Sequence, residues 1–400
     1  MANKVIEQDF THWVTPVKLN DDWPSKFNFS CITSIEQLRN TLRSYVNLDG
    51  SYPMMGFDTE TAGLNPEEDS IVGYSFAFNE TDAYYVPTAH LNLALGDEAL
   101  DLIYDVMCKS KLVLMFNARF DIRMMEWLHF ENESVDFKHD FIVKARQLYS
   151  KYDMSKVTIY DIQTMIWAMD SAHYYPSLKW AELQFLGWRS NTFEETQGGA
   201  SNFAYLDPTN PKTYNYAATD ALALILLYNC SKWIRDEAKL SLQMHAQGKI
   251  IPLTRFEQTP ILADVPLLKK QSEYYHNHMD EVERRIFTIV GYTFNISSGP
   301  ERAKAFRDKN IIITARTSSG KVATGAPIIE ETKKQYDKNS DQYILLDLCS
   351  EYLHIKKMLS TYIDSLLEQV TTNSFRDGYF RYNYRNVGTS SGRYAGGRTE

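Results

Sequence analysis

Short apolar runs separated by turn residues dominate the first 90 residues of the chain. Residues 34–46 (SIEQLRNTLRSYV) have apolar positions at helical spacing, with Ser34 placed to cap a helix. The apolar run MMGF at 54–57 follows the turn-like DGSYP and predicts a strand. The β-branched and aromatic runs IVGYSFAF (71–78) and AYYVPTA (83–89) are separated by NETD, which indicates a hairpin.

Helical patterns become more frequent in the next 150 residues. A helical stretch at 97–109 precedes the apolar strand KLVLMF at 111–116, and further helical segments follow to about residue 240. Strands followed by helices are typical of a domain whose helices pack on a sheet. We therefore predict an N-terminal lead over residues 1–25 and an α/β domain with a mixed sheet over residues 26–240.

From Asp264 onward the pattern changes to two long helices separated by a polar, basic, glycine-containing stretch from about 297 to 326. Pro266 suits the first turn of a helix of about seven turns. We expect an antiparallel helical pair with a positively charged tip. Apolar residues spaced by three, four or seven define the two helices: Leu268, Tyr275, Met279, Val282, Ile286 and Val290, then Ile344, Leu348, Tyr352, Ile355, Leu359, Tyr362 and Leu366.

Composition and length exclude several classes of protein. The chain has 400 residues, 44% of them apolar, which is enough for two or three cored domains. No apolar run approaches the roughly 20 residues that cross a bilayer, and the N-terminus lacks the apolar stretch of a signal peptide. We therefore expect a cytoplasmic protein with no membrane partner. The four cysteines are scattered, which indicates neither a disulfide framework nor a zinc site.

Charge is distributed unevenly along the chain. The net charge of −9 argues against a surface that coats nucleic acid. Residues 301–321 and 375–400 nevertheless carry +4 and +3, so the remainder carries −16. Because a basic segment is often only a solvated face, charge alone identifies no partner.

The carboxylates of Asp58 and Glu60 follow the strand MMGF two residues apart, so the strand pleat sends both to the same side. Their like charges repel. A surface turn is the plain alternative, but the pair ends an apolar strand that we expect to be buried. A pair of hard cations would explain two carboxylates in that position.

Three further side chains follow at separate places. Asp121 ends FNARFD at 116–121, directly after the strand at 111–116, and Tyr216 and Asp220 lie four apart in YNYAATDALALILLY. That spacing puts Tyr216 and Asp220 on one face of a helix whose other face is aliphatic. Each has a structural alternative, because Asp121 can cap a helix beginning at Ile122 and Asp220 can be the polar side of an amphipathic helix.

The order of these residues is more specific than any one of them. A D-x-E strand, an N-x-x-x-D after a later strand and a Y-x-x-x-D helix resemble the DnaQ-like, ribonuclease H-like exonucleases of the tyrosine-bearing DEDD type. The resemblance implies that Asp58, Glu60, Asp121 and Asp220 hold two Mg²⁺ or Mn²⁺ ions. By the same analogy Asp58 bridges the ions, Glu60 and Asp220 bind the first, and Asp121 acts on the second. Tyr216 would orient the attacking water.

The resemblance extends to residues beside the acids. FDTETAGL at 57–64 matches the family's D-T-E-T-x-x-L, which implies that Thr61 and Leu64 line the pocket for the 3′-terminal nucleotide. Leu64 would act as an apolar wedge between bases, with core packing as the alternative. Asn117 matches an asparagine that lies beside the substrate strand.

The second half narrows the family. NISSGPERAKAF, ATGAPIIEETKK, KMLSTYIDSLLEQ and GYFRYNYRNVGTSSGRYAGG occur in the order found in the bacterial DNA polymerase I group of family A polymerases, over residues 26–397. This resemblance implies a mostly helical thumb at 250–372 and the start of a palm at 373–400. Primer-template DNA would lie along the thumb, with a single-stranded 3′ end in the exonuclease site. Lys357, Ser360, Thr361 and Arg393 are the expected backbone contacts.

Two features depart from the family pattern. GTSSGRYAGG replaces the commoner T-x-T-G-R-L-S-S, and residue 400 falls before the palm motifs that supply the polymerase aspartates. We therefore expect a proofreading exonuclease and duplex-holding thumb that lacks a polymerase site, with a second chain carrying palm and fingers as a candidate partner. The alternatives are a stand-alone exonuclease like ribonuclease D and a non-catalytic DNA-holding subunit.

Overall fold

The computed structural model divides into two compact units. The first runs to Thr259 and includes the residues from Arg381 onward, and the second is Pro260–Phe380. Most of the N-terminal lead lies outside the residues that the structure describes. Those residues are 23–66, 69–126, 129–131, 146–148, 151–169, 176–230, 246–372 and 378–397.

A six-stranded mixed sheet forms the centre of the first unit, as the sequence predicted. Its order is β1-β4-β3-β2-β5-β8, and β3 runs antiparallel to both neighbours while the other pairs are parallel. The strands of this sheet are β1 (Asn28–Cys31), β2 (Met55–Thr61), β3 (Ile71–Ala77), β4 (Asp82–Pro87), β5 (Val113–Met115) and β8 (Ile159–Asp161). The short strands β6 (His129–Glu131) and β7 (Arg146–Leu148) pair with each other, as do β11 (Asn383–Arg385) and β12 (Ala395–Gly397).

Helices cover both faces of the sheet. The helices of this unit are α1 (Ile35–Arg43), α2 (Gly96–Lys109), α3 (Ala118–Met125), α4 (Ile162–Met169), α5 (Leu178–Ala181), α6 (Phe193–Gln197), α7 (Pro211–Cys230) and α8 (Ile250–Gln258). Single turns of 3₁₀ helix occur at Trp23–Lys26, Met154–Lys156 and Phe203–Tyr205, and Glu182–Leu186 is a π-helical turn.

Side chains alternate between the two faces of the sheet along each strand, so apolar residues of the sheet contribute to a core on each face. Phe57, Tyr74 and Phe76 pack with the buried residues of α1 and α2 in one cluster. Ala77 and Leu114 belong to the other cluster, which contains the buried face of α7. Every residue of β3 is buried, because it lies in the middle of the sheet with helices on both sides.

A glycine on β2 lets α7 approach the sheet closely. A Cβ added at Gly56 would lie 3.1 Å from the carbonyl carbon of Ala221 and would overlap the carbonyl oxygen. The strand pleat puts Asp58 and Glu60 on the same face as Gly56. The neighbour of Ala221 in the helix is Asp220, so this close packing brings α7 and its carboxylate to the acids of the strand.

The second unit is mostly helical. It contains β9 (Ile261–Leu262), α9 (Val265–Val290), α10 (Gly299–Asp308), α11 (Ala326–Lys333), α12 (Asp341–Met358), a π-helical turn at Leu359–Ile363, α13 (Asp364–Thr372) and β10 (Tyr379–Phe380). The predicted first helix is confirmed, with Asp264 capping it and Pro266 in its first turn. The predicted second helix is interrupted by the π-helical turn. In the described part of the chain, no helix is long and apolar enough to cross a membrane.

Candidate active site: a cluster of carboxylates

Three carboxylates meet at the face of the sheet that α7 covers. One oxygen each from Asp58, Glu60 and Asp220 lies within 4.8 Å of the others. The sequence placed Asp58 and Glu60 after the strand, but β2 continues to Thr61 because it pairs with β3 from Gly56 to Thr61. Both acids therefore project from a rigid strand, and the plain alternative of a surface turn is wrong.

Asp220 reaches this cluster from α7. The helix is buried on almost every side between Thr213 and Leu227, and Asp220 itself is buried. The alternative that Asp220 is the exposed polar side of an amphipathic helix is therefore wrong. A carboxylate so placed needs a cation or a hydrogen-bond donor, because burying an unpaired charge is costly.

Asp121 lies beside the cluster but is held separately. Helix α3 begins at Ala118, so Asp121 is inside the helix and does not cap one that begins at Ile122. Its Oδ1 accepts hydrogen bonds from the backbone N–H of Thr59 at 3.0 Å and from the Thr59 hydroxyl at 2.6 Å. Thr59 lies between Asp58 and Glu60, and Asp121 is only 2% exposed.

Burial and like charge both favour the protonated acids. Burial is the larger cause and the neighbouring carboxylates come second in raising the pKa of Asp58 and Glu60 well above their ordinary values. Burial also raises the pKa of Asp121 to about 7, although the hydrogen bonds from Thr59 oppose it. The pKa of Asp220 is raised by burial and lowered by Lys179. A bound cation would relieve this destabilisation of the charged forms.

Lys179 is a member of the site that the sequence did not reveal. Its ammonium donates to Oδ1 of Asp220, lies 3.5 Å from Oε1 of Glu182 and sits 5.2 Å from the centre of the Tyr216 ring. Burial disfavours its charged form, but the charges of Asp220 and Glu182 outweigh burial and raise the pKa of Lys179. The contact joins residues 41 positions apart, so no local motif marks it.

Glu182 completes the surroundings of the lysine. It is fully buried at the start of the π-helical turn and accepts a hydrogen bond from the Ser190 hydroxyl. Burial raises the pKa of Glu182 to about 7, against the opposing charge of Lys179. The Glu182 carboxylate is thus a second acidic neighbour of the Lys179 ammonium, beside Asp220.

Tyr216 precedes Asp220 by one helical turn. Its ring packs on Phe203 with the ring centres 5.9 Å apart. Burial, followed by the charges of Glu60 and Asp220, raises the pKa of Tyr216 far above its ordinary value. The phenol is therefore neutral and can both donate and accept a hydrogen bond.

The residues expected around a 3′-terminal nucleotide lie at the ends of β2 and β5. The Thr61 hydroxyl donates to the backbone oxygen of Gly63 at 2.7 Å, and Leu64 is 64% exposed, so the alternative that Leu64 is a core residue is wrong. Asn117 precedes α3 in a left-handed conformation with φ of 56°. Its backbone N–H donates to the buried carboxylate of Asp161 at 3.0 Å, which fixes that uncommon geometry.

The four expected backbone contacts divide between the two units. Lys357 is exposed near the end of α12, and Ser360 and Thr361 are exposed in the π-helical turn of the second unit. Arg393 is exposed in the first unit. All four side chains are accessible to a ligand.

Comparison with known proteins links this site to a family. The 3′-5′ exonuclease family model of DNA polymerase A matches residues 29–230, which is half of the chain. The chain is 25% identical over 346 residues to DNA polymerase I of Pseudomonas aeruginosa and 22% identical over 362 residues to that of Treponema pallidum. Each alignment covers 85% of this chain but 35% of the relative, so the chain spans about a third of these relatives' length.

A solved structure has the same fold. It is described as the POL domain of Pol1 from M. smegmatis in complex with DNA primer-template and dNTP, and it matches with a TM-score of 0.63. The match covers 92% of this chain and 54% of that one at 14% identity. At that identity the likeness establishes the arrangement of the backbone and leaves the chemistry to be argued from the residues of the site.

Proposed function

The chain belongs to the 3′-5′ exonuclease family of family A DNA polymerases, and on that premise we propose that its first unit removes nucleotides from the 3′ ends of DNA with two divalent metal ions. The observation that carries this proposal is the convergence of Asp58, Glu60 and Asp220 within 4.8 Å. These three residues come from a strand and a helix that Gly56 allows to pack closely.

The donor set fits hard divalent cations. Carboxylate oxygens are the ligands preferred by Mg²⁺ and Mn²⁺, and the described part of the site offers neither thiolate nor imidazole to a softer metal. When bound, two such ions lower the pKa of a water molecule and stabilise the attacking and leaving oxygens of an in-line displacement at phosphorus. Asp58, Glu60 and Asp220 would hold the first ion, with Asp58 shared by both.

Asp121 and Tyr216 supply the remaining roles. The Thr59 hydrogen bonds fix one oxygen of Asp121 and leave the other for the second ion or its water shell. The neutral phenol of Tyr216 accepts a hydrogen bond from the attacking water and orients it. Because Phe203 holds the Tyr216 ring, this orientation is set before substrate arrives.

Substrate contacts follow from the exposed residues near the acids. We assign Thr61, Leu64 and Asn117 to the pocket for the 3′-terminal nucleotide. The exposed side chain of Leu64 suits an apolar wedge between bases, which would help separate a frayed end from its complement.

We assign the second unit to holding the duplex, as the thumb of a polymerase does. Lys357, Ser360, Thr361 and Arg393 are the proposed backbone contacts. Domain limits of 26–240 for the exonuclease, 250–372 for the thumb and 373–400 for the start of the palm remain our proposal. Participation in replication or repair, and a second chain with palm and fingers, belong to the same proposal.

A nuclease assay tests this function. Single-stranded 5′-labelled DNA should shorten by one nucleotide at a time in Mg²⁺ or Mn²⁺, and excess chelator should stop it. Asp58→Ala should abolish shortening, whereas Tyr216→Phe should slow it about 100-fold or less because it loses only the water contact. Digestion from the 5′ end, or activity undiminished by chelator, would contradict the mechanism. An RNA oligomer of the same sequence measures sugar preference.

A further inference from the structure

The ammonium of Lys179 occupies the carboxylate that a metal ion would need. We propose that Lys179 is a resident cation of the nuclease site, which pairs with Asp220 until a divalent ion binds and then turns to the phosphate of the substrate. The inference rests on the proposed function, because it assigns a role in the same reaction.

The position of Lys179 is built by its neighbours. It lies in α5, a short helix whose first turn is capped by the hydroxyl of Ser177. Its side chain is 28% exposed, so a ligand can reach part of it. An ammonium has three donors, and its neighbours are Asp220, Glu182 and the face of the Tyr216 ring.

These three partners have different functions in the proposed reaction. Asp220 belongs to the carboxylate cluster, and Tyr216 is the residue assigned to the attacking water. Glu182 is outside the cluster, is fully buried and is itself held by Ser190. An ion pair between Lys179 and Glu182 would therefore persist when Asp220 turns to a metal, and the ammonium would stay beside the reacting phosphate.

Competition for Asp220 has a definite sign. A divalent ion and an ammonium on one carboxylate repel each other, and their repulsion is strong in a site shielded from water. Lys179 must therefore weaken metal binding in the absence of DNA. The same charge stabilises the extra negative charge that develops on the phosphate during displacement. Removing the lysine should therefore tighten metal binding and slow hydrolysis.

A purely structural ion pair gives a different pattern. Loss of a buried partner leaves the other charge unpaired and destabilises the fold. A lysine that only supports the fold would therefore loosen the site when removed, and metal affinity and reaction rate would fall together. Opposite changes in these two quantities separate the alternatives.

The test measures Mn²⁺ binding by calorimetry without DNA, and single-turnover hydrolysis with a saturating 5′-labelled oligomer. In Lys179→Met, we expect Mn²⁺ to bind several-fold more tightly while hydrolysis slows by about 100-fold. Lys179→Arg keeps the charge and should retain Mn²⁺ affinity near that of the parent, with part of the rate. Lys212→Met removes an exposed lysine from α7, the helix of Asp220, and should change neither quantity.

Thermal melts provide a second readout. In chelator, Lys179→Met should melt below the parent, because the carboxylates lose their only nearby ammonium among the described residues. Its rise in melting temperature on adding Mn²⁺ should then exceed the rise of the parent. If the methionine variant does not fold, Lys179→Gln keeps a hydrogen-bond donor without the charge and is judged by the same two quantities.

The outcomes distinguish this inference from the proposed function. A parent protein that neither binds Mn²⁺ nor shortens DNA overturns the proposed function. A parent that does both, with uncharged Lys179 variants that bind Mn²⁺ no more tightly or hydrolyse at the parental rate, overturns the role of Lys179 alone.

Discussion

The carboxylates of the site differ in what compensates each charge. Asp220 has an ammonium on one oxygen, and Asp121 has two donors from Thr59. No hydrogen bond or ion pair to the Asp58 carboxylate occurs among the described residues, and its surroundings raise its pKa by burial and by three neighbouring acids. The Glu60 carboxylate has no such partner among the described residues either, but only two neighbouring acids raise its pKa. Asp58 is therefore the acid with most to gain from a metal ion.

Replacing Asp58 and Asp220 in turn should give opposite results in chelator. Asp58→Ala removes a repulsive charge and no partner, so its melting temperature should equal or exceed that of the parent. Asp220→Ala leaves Lys179 without its closest partner and should melt lower. Both variants should lose most of the rise that Mn²⁺ produces. Thermal melts with and without Mn²⁺ measure this, and an Asp58→Ala protein several degrees less stable in chelator would contradict the site.

The metal-free protein should also lose stability as pH rises. Burial raises the pKa of Asp121 and Glu182 to about 7 and that of Asp161 to about 6. At pH values between the ordinary pKa of these acids and their raised pKa, the folded state binds more protons than the unfolded state. The free energy of unfolding therefore falls with increasing pH. Acids such as Asp153, whose pKa is lowered by the Ser155 hydroxyl, titrate below this window.

Urea unfolding in chelator from pH 5 to pH 8 checks this trend. The midpoint should fall across that range, and Glu182→Gln should flatten part of the decline because that position no longer titrates. Added Mn²⁺ should restore stability more at pH 8 than at pH 5, since metal binding displaces protons. A midpoint that rises steadily with pH would show that paired acids outweigh the buried ones.

The sequence identified the acids better than it identified their surroundings. The strand period predicted that Asp58 and Glu60 share one face, and the helix period predicted the same for Tyr216 and Asp220. Both predictions depend only on residues that are close in sequence. The structure brings three of the four acids together and holds Asp121 through Thr59. The sequence did not indicate Lys179, because its ion pair with Asp220 depends on how α5 packs against α7, which no local pattern encodes.

At the scale of elements, the hairpin and the long helix were predicted and two sheet strands were not. β3 and β4 are apolar and aromatic runs joined by a short turn, and they pair as a hairpin. This signal lies within a short window of sequence. β1 and β8 are four and three residues long, and they join the sheet through parallel pairing with β4 and β5. Parallel pairing joins strands that are distant along the chain, so it leaves no signature in a short window of sequence.

The contact between β2 and α7 gives a prediction at this scale. Gly56→Ala would push α7 away from the strand, because its Cβ would overlap the Ala221 carbonyl oxygen. We expect a loss of about 1–3 kcal/mol in unfolding free energy and a loss of Mn²⁺ affinity, since Asp220 moves with the helix. Denaturant unfolding and calorimetry measure the two effects.

Gly396→Ala is the matched control for this prediction. Gly396 lies in β12 of the same unit, and an added Cβ there meets nothing within 4 Å. It should leave both unfolding and Mn²⁺ affinity unchanged. A Gly56→Ala protein with parental Mn²⁺ affinity would show that the helix position does not determine the site.

At the scale of the whole molecule, the proposed binding of DNA by a chain with net charge −9 requires local basic surfaces. The structure revises the predicted basic segment 301–321, because Arg302 is buried and donates to the backbone oxygens of Ile296 and Thr324. Lys304, Arg307 and Lys321 are exposed and available. The segment therefore has fewer exposed cationic side chains than its net charge indicated.

Charge removal at this surface should weaken duplex binding in a salt-dependent manner. A protein that neutralises phosphates releases counterions, so the logarithm of its affinity falls linearly with the logarithm of salt concentration, by about 0.9 for each contact. Replacing Lys304 and Arg307 by Gln should therefore lower affinity for primed duplex and reduce the slope by up to about 2. Lys304 lies over the ring of Tyr292, just past the C-terminal end of α9. The matched control replaces Lys269 and Lys270, which are exposed near the N-terminal end of α9, about 30 Å along the helix. The control keeps the parental slope if binding is local to the basic segment. Fluorescence anisotropy of labelled duplex at several salt concentrations gives both slopes, and equal losses in the two variants would assign the binding to overall charge instead of to this surface.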